Sequence, residues 1–304
     1  MAYDRYAAQV QLLVRILPFV ADEAAFALKG GTAINLFYRD MPRLSVDIDL
    51  VYLPIEDRPT SLHNIDAALA RIVEQINAEL FGAKAERIAG GGQNETRLLV
   101  RQGQAEVKVE TSPVLRGTVH PVAHKRVTQS VQATFGFAEM PVVAFEDLFA
   151  GKLTAALDRQ HPRDLYDVKL LYENEGLTDD LFRTFLVYLA SSGRPPHELL
   201  DPNLLDLDKP FASEFVGMTN ESVTLDALLE TRQHLIADVQ LRLDKSAATF
   251  LRSLIDGTPD FDAIDFPQAA QLPAVRWKVQ NLLKLKADNP AKHAEQRIAL
   301  EKLL

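Results

Sequence analysis

Apolar positions recur with two different periods along this chain, and the change of period divides it. Over residues 4–17, Tyr6, Val10, Leu13, Val14 and Leu17 fall at helical spacing, and Pro18 is expected to stop that helix. Asp22 and Glu23 open a short turn into a strand over 26–28. A short helix is expected over 32–38, and Met41-Pro42 marks the loop before a second strand that ends near Leu53. After a polar connection over 54–61, Ile65, Leu69, Ile72, Val73, Ile76 and Leu80 make residues 62–81 an amphipathic helix suited to covering a sheet. Three strand-like runs follow, over 83–88, 95–101 and 105–111, with Arg101-Gln102-Gly103-Gln104 as a hairpin turn between the last two. Gly90-Gly91-Gly92 lies between strand-like flanks and reads as a flexible turn in preference to a phosphate loop. Residues 112–143 are mixed, with β-like fragments at 128–134 and 142–143.

From Phe145 onward the helical period takes over. Helices are expected over 145–159, 163–175, 177–190, 222–255, 273–286 and 290–304. Pro162 suits a helix start. Residues 191–220 read mostly as loop and 257–267 as an acidic loop. The change of texture places a domain boundary near 140–144, giving an N-terminal domain over 1–143 and a helical domain over 144–304.

Composition narrows the classes. With 304 residues, 47% apolar and 25% charged, the chain is long enough for one large or two ordinary globular domains. It contains no cysteine, which excludes disulfides, thiolate metal sites and cysteine nucleophiles and fits a reducing cytoplasm. The first residues lack the basic start and apolar run of a signal peptide, and no apolar stretch approaches a membrane span. The net charge of −9 argues against a general nucleic-acid coat, so RNA contact would need a local basic patch. Lys278, Lys284, Lys286, Lys292, Arg297 and Lys302 on the last helices offer one, although a solvated face is the simpler reading. The seven histidines are scattered, with no pair at metal-ligand spacing on one expected helix face.

The chemistry concentrates in residues 26–53. Strand side chains alternate, so Asp47 and Asp49 project together while Ile48 and Leu50 point the other way. Two carboxylates side by side repel unless a cation or a shared proton lies between them. Magnesium takes oxygen ligands and leaves positions for water and phosphate. Gly30 and Gly31 lack a Cβ, so backbone amides there can approach a phosphate closely. Thr32 adds a hydroxyl at the start of the following helix. Arg43 reads equally as a triphosphate clamp or a strand-edge charge, and the Ser45 hydroxyl is placed to meet a phosphate oxygen.

The string Lys29-Gly-Gly-Thr-Ala33 followed by Arg43-Leu-Ser-Val-Asp-Ile-Asp-Leu50 resembles the AbiEii/AbiGii branch of the nucleotidyltransferase superfamily, the MenT-like toxins of type IV toxin–antitoxin systems. The resemblance implies an α/β fold: a mixed-sheet nucleotidyltransferase core followed by an α-helical C-terminal domain that completes the substrate cleft. It implies magnesium or manganese held by Asp47 and Asp49, with a third carboxylate on the strand Ala105-Glu-Val-Lys-Val-Glu-Thr111, where Glu110 matches the acid of the family's basic-apolar-acidic triplet. A solvent-facing strand of alternating charge is the other reading of that run. In some relatives the serine matching Ser45 is phosphorylated by an antitoxin kinase, which would add negative charge beside the metal acids.

A second stretch, from Glu146 to Leu170, resembles the family's Ala-x-Lys-Leu…Arg…Pro-Arg-Asp-Leu-Tyr-Asp motif. Lys152 and Arg159 lie seven apart on one helix face, and Asp164 and Asp167 three apart on the next helix, so these charges can meet. The resemblance implies that Lys152 contacts the nucleotide triphosphate and that Asp164 or Asp167 holds it or acts in catalysis. An interhelical salt-bridge network is the structural alternative, most of all for Arg159 and Asp167. Gly151 before Lys152 departs from the commoner family form. The implied function is a toxin that transfers nucleotides from an NTP to RNA, foremost the tRNA acceptor end, with a cognate antitoxin as partner and no membrane. Two other readings share these residues: transfer to a protein hydroxyl or small molecule, and a non-catalytic binding protein that retains the fold.

Overall fold

The structure, a computed structural model, describes residues 2–88 and 96–304, so the Gly90-Gly91-Gly92 turn lies outside the described residues. Its contacts divide it into two units, Met1–Ala144 with Met218–Glu221, and Phe145–Gly217 with Ser222–Leu304.

The first unit runs α1 (Ala2–Ala21), β1 (Phe26–Lys29), α2 (Gly30–Ala33), a π-helical turn over Ile34–Tyr38, β2 (Asp47–Tyr52), α3 (Arg58–Glu79), β3 (Ala83–Ile88), β4 (Arg97–Gln102), β5 (Ala105–Arg116), β6 (Ala123–Arg126), α4 (Gln129–Phe135) and β7 (Glu139–Val142). The strands make one mixed sheet in the order β3-β4-β5-β2-β1-β7-β6. β2 is antiparallel to β1 and parallel to β5, so the Asp-bearing strand sits at the centre. One sheet face is apolar: Ile48, Leu50, Leu98, Val100, Val107 and Val109 are fully buried. α1 and α3 pack over the sheet. At the edge strand β3, Asn77 of α3 donates to Ala85 O at 2.9 Å and accepts from Ala85 N at 2.8 Å, so the outward-facing backbone groups there are satisfied.

Local chemistry moves several boundaries. α1 continues through Pro18 to Ala21, because burying Leu17 and Val20 outweighs one lost helical hydrogen bond in the last turn. α3 starts at Arg58, earlier than the apolar spacing indicates, because Asp57 accepts from Thr60 N at 3.0 Å and Pro59 sits in the first turn. Residues 128–134, expected as β-like, form α4 after Thr128. Val131 is the buried side chain of that helix, so the period-2 alternation of a half-buried strand is absent.

The second unit is helical: α5 (Phe145–Asp158), α6 (Pro162–Asn174), α7 (Asp179–Ser191), α8 (Pro196–Leu200), α9 (Asp208–Glu214), α10 (Leu225–Leu241), α11 (Lys245–Ile255), two 3-10 turns, α12 (Pro273–Asp288) and α13 (Pro290–Glu301). α8 and α9 occupy the stretch expected as loop. The single helix expected over 222–255 is two, because Asp244 caps α11 by accepting from Ala247 N at 2.8 Å. Leu148, Phe149, Leu153, Leu165, Val168, Leu181 and Phe185 form the core of α5, α6 and α7.

Lys278 departs from the expected basic surface. Its side chain is buried, and Nζ donates to Ser192 O at 2.9 Å and to Arg194 O, capping the C-terminal end of α7 from α12. Burial pushes its ammonium down to about 8 from an ordinary value of 10.5. The folded chain thus holds this proton less tightly than the unfolded chain, so raising the pH from about 8 to 10.5 favours folding. Denaturant unfolding across that window should show wild type gaining roughly 2–3 kcal/mol relative to Lys278→Met, while tyrosine titration cancels in the difference. Parallel pH profiles for the two proteins would contradict this account.

Candidate active site

β1 ends at Lys29, and the chain turns directly into helix at Gly30 with a φ of 75°. That left-handed conformation suits glycine, and space demands it as well. A Cβ on Gly30 would overlap Asp49 Oδ2, so the carboxylate lies directly against the glycine backbone. A Cβ on Gly31 would stand 2.6 Å from Arg43 Nη2 and 3.0 Å from Ser45 Oγ. The paired glycines thus form a cradle that receives one carboxylate, one guanidinium and one hydroxyl. Thr32 is fully buried; its hydroxyl hydrogen-bonds Ser45 Oγ at 2.9 Å and donates to Asp47 O. Gly30, Gly31, Thr32, Arg43, Ser45, Asp47 and Asp49 are therefore brought together.

Asn35 was not singled out by sequence reasoning. It is fully buried, donates to Gly31 O at 2.7 Å, and accepts from Arg43 N at 3.3 Å. It ties the glycine turn to the segment carrying Arg43. An amide within the apolar run Ala33-Ile-Asn-Leu-Phe37 was the available signal. Met41 follows with a φ of 50°, costly for a non-glycine residue. Its N–H donates to Asn35 O at 2.9 Å, and its carbonyl accepts from Asn220 Nδ2 at 2.7 Å. Residues Met218–Glu221 thus strap this loop: Leu44 N donates to Met218 O at 2.8 Å, Asn220 N donates to Pro42 O at 3.1 Å, and Arg43 bridges Thr219. Nothing in local sequence signals a contact so distant along the chain.

Asp47 and Asp49 share the face opposite buried Ile48 and Leu50, as the alternation requires. Glu110 stands in register with Asp49 on the parallel neighbour β5. Its carboxylate is nevertheless drawn toward β4, where Arg97 Nε lies 2.9 Å from Glu110 Oε2, close in charge but outside hydrogen-bond alignment. Among the described residues, no three acids or histidines converge tightly enough to form a ready-made ion cage. The Asp47–Asp49 pair has the chemistry of a divalent-cation ligand set, with water and phosphate to complete the coordination. Glu110 stands beside that pair, with Arg97 as its charge partner.

Lys152, Arg159, Asp164 and Asp167 form a second cluster within the helical unit. Lys152 Nζ lies 2.8 Å from Asp164 Oδ1 and 2.9 Å from Asp167 Oδ2. Arg159 Nη2 donates to Asp164 Oδ1 at 3.0 Å, and its Nε donates to Oδ2. Lys152, Asp164 and Asp167 are buried, whereas the Arg159 side chain is 65% exposed. Burial works against an ionised Asp164, but attraction to Lys152 and the hydrogen bonds from Arg159 more than offset it, holding the carboxyl well below the usual range. His161 caps α6 through Nδ1, accepting from Arg163 N at 3.1 Å. Gly151 has a local reason: a Cβ there would press to 3.3 Å from Tyr188 Cε1, and the Tyr188 hydroxyl donates to buried Asp147 at 3.0 Å.

A mixed sheet with a Gly-Gly turn and two carboxylates on the next strand is the arrangement of nucleotidyltransferases. A family model described as "Nucleotidyl transferase AbiEii toxin, Type IV TA system" matches residues 11–281, and the chain belongs to that family. It is a nucleotidyltransferase of the type IV toxin class. Among solved structures it is similar in fold to MenT4, a nucleotidyltransferase toxin from Mycobacterium tuberculosis H37Rv, with 19% identity, a TM-score of 0.62, and coverage of 92% of this chain and 93% of that chain. No curated protein matches the chain significantly. No helix among the described residues is long and apolar enough to cross a membrane.

The geometry sets three outcomes. Gly30→Ala should displace the Asp49 carboxylate and lower nucleotidyl transfer about 100-fold, with a near-native circular dichroism spectrum. An active Gly30→Ala enzyme would show that the close approach is dispensable. Lys152→Met should strand two buried carboxylates and reduce the unfolding free energy by about 3–5 kcal/mol. The depressed Asp164 stabilises the fold above its unfolded pKa, and that contribution is lost as pH falls below about 4 toward the folded value. Acid titration of stability should therefore be shallower in Asp164→Asn than in wild type.

Proposed function

We propose that this toxin uses magnesium or manganese and a nucleoside triphosphate to add nucleotides to an RNA 3′ end, foremost the tRNA acceptor end, and so blocks translation. The observation that carries the reading is the Asp47–Asp49 pair, with Asp49 lodged against Gly30. Repulsion between the two carboxylates makes the pair a receptor for a cation, and the glycine cradle leaves room for phosphate beside it. A bound divalent ion would neutralise charge on the phosphates during transfer. The RNA hydroxyl oxygen forms a bond to the α-phosphorus, the bond from that phosphorus to the bridging oxygen of the β-phosphate breaks, pyrophosphate leaves, and the hydroxyl proton passes to solvent. Arg43 and the Thr32–Ser45 hydroxyl pair hold the loop that bounds the cradle. Within the helical unit, Lys152 is taken as the triphosphate-contacting cation, held by Asp164 and Asp167 with Arg159 closing the cluster. A cognate antitoxin is the expected partner, and the cytoplasm the expected compartment.

A second reading, transfer to a protein hydroxyl, is favoured by the acidic balance of the chain, which offers RNA little general attraction. The two separate on one gel. Wild type, each α-labelled NTP, magnesium and total tRNA should give label at the tRNA 3′ end, reduced at least about 100-fold in Asp49→Ala. Label migrating with protein would decide for the second reading. A wild type that binds nucleotide yet labels nothing would overturn both.

A further inference from the structure

Two lysines flank the acid pair and have no part in the chemistry so far described. Lys29 ends β1 and stands opposite Asp49 in the antiparallel β1–β2 register. Lys108 stands opposite Asp47 in the parallel β2–β5 register. Partnered residues on adjacent strands project to one face, so both stems rise from the face that carries Asp47 and Asp49. Both side chains are partly buried. Neither ammonium makes an ion pair or a side-chain hydrogen bond among the described residues. Asp49 likewise has no ion pair among them. Arginines of β4 on the same face behave differently: Arg97 approaches Glu110 at 2.9 Å, and Arg101 binds Glu106 at 2.8 Å and also Glu86.

Opposite charges facing each other across a ladder attract one another by roughly 0.2–1 kcal/mol. Here Lys29 and Asp49 face each other and remain apart, and Lys108 stays open beside Asp47. Such an arrangement suits a third body carrying both signs. The carboxylates require a cation, and the ammoniums require an anion next to it. A metal-bound polyphosphate presents both, because a triphosphate keeps excess negative charge even with a divalent cation bound. Its phosphate oxygens would supply acceptors for six ammonium protons.

We propose that Lys29 and Lys108 bind the phosphate tail of the nucleotide, one on each side of the Asp47–Asp49 pair, and neutralise the pyrophosphate as it leaves. The proposal rests on the nucleotidyltransferase reading and names the residues that grip the substrate within the first unit. It assigns recognition to the phosphates and not to the base, so a base-free polyphosphate should bind as well.

The test is competition by magnesium tripolyphosphate against a fluorescent, non-hydrolysable nucleoside triphosphate analogue. Wild type should release the probe as tripolyphosphate is added. Lys29→Met and Lys108→Met should each weaken tripolyphosphate binding about 10-fold, and the double variant more. Lys29→Arg and Lys108→Arg should restore most of the affinity, and Lys84→Met, at an exposed position of β3, should match wild type. In turnover, the Met variants should raise the KM for NTP, with unchanged thermal midpoints. Met variants that bind tripolyphosphate like wild type would overturn the proposal while leaving the transferase reading intact. A folded wild type that binds neither tripolyphosphate nor the analogue would overturn both.

Discussion

Two like charges held on one side of a central strand are the constraint around which the first unit is built. Asp47 and Asp49 cannot turn away from each other without moving Ile48 and Leu50 out of the apolar face, where both are fully buried. The hydrophobic register of β2 therefore fixes both carboxylates on its other face. Antiparallel pairing with β1 and parallel pairing with β5 hold the strand on both sides. Hydrophobic burial of Ile48 and Leu50 thereby keeps the two carboxylates on one face.

The glycine turn shows the same logic at atomic scale. Gly30 combines a positive φ with contact to a carboxylate, and Gly31 admits a guanidinium and a hydroxyl. The surrounding loop adopts a strained conformation at Met41 because hydrogen bonds from both directions over-determine it. Buried Asn35 and the returning segment Met218–Glu221 supply those bonds. The cradle is thus shaped by polar groups beyond it.

In the helical unit the balance differs. Two acids are buried with one lysine between them, and an exposed arginine closes the set. Each charge inside is tolerable only because the others are present. The cluster therefore joins α5 to α6, and the motif's residue types serve packing. Gly151, an oddity in the linear motif, is the contact point for the Tyr188 ring.

The mixed sheet was expected from the family resemblance, while the periodic patterns by themselves determined strands followed by helices, the alternation that puts Asp47 and Asp49 on one face, and a spacing that lets Lys152 meet Asp164 and Asp167. These rest on interactions between near neighbours, where spacing dictates geometry. Tertiary structure decided what spacing leaves open. Glu110 sits in the expected register but leans to Arg97, a choice made by a third strand. Lys278 caps a distant helix instead of lining a basic surface, and Met218–Glu221 straps a loop far earlier in the chain. Strand order brings Lys29 and Lys108 beside the acids. Contacts between residues far apart in sequence depend on the whole pattern of strand pairing and burial, and no local window of residue types contains that information.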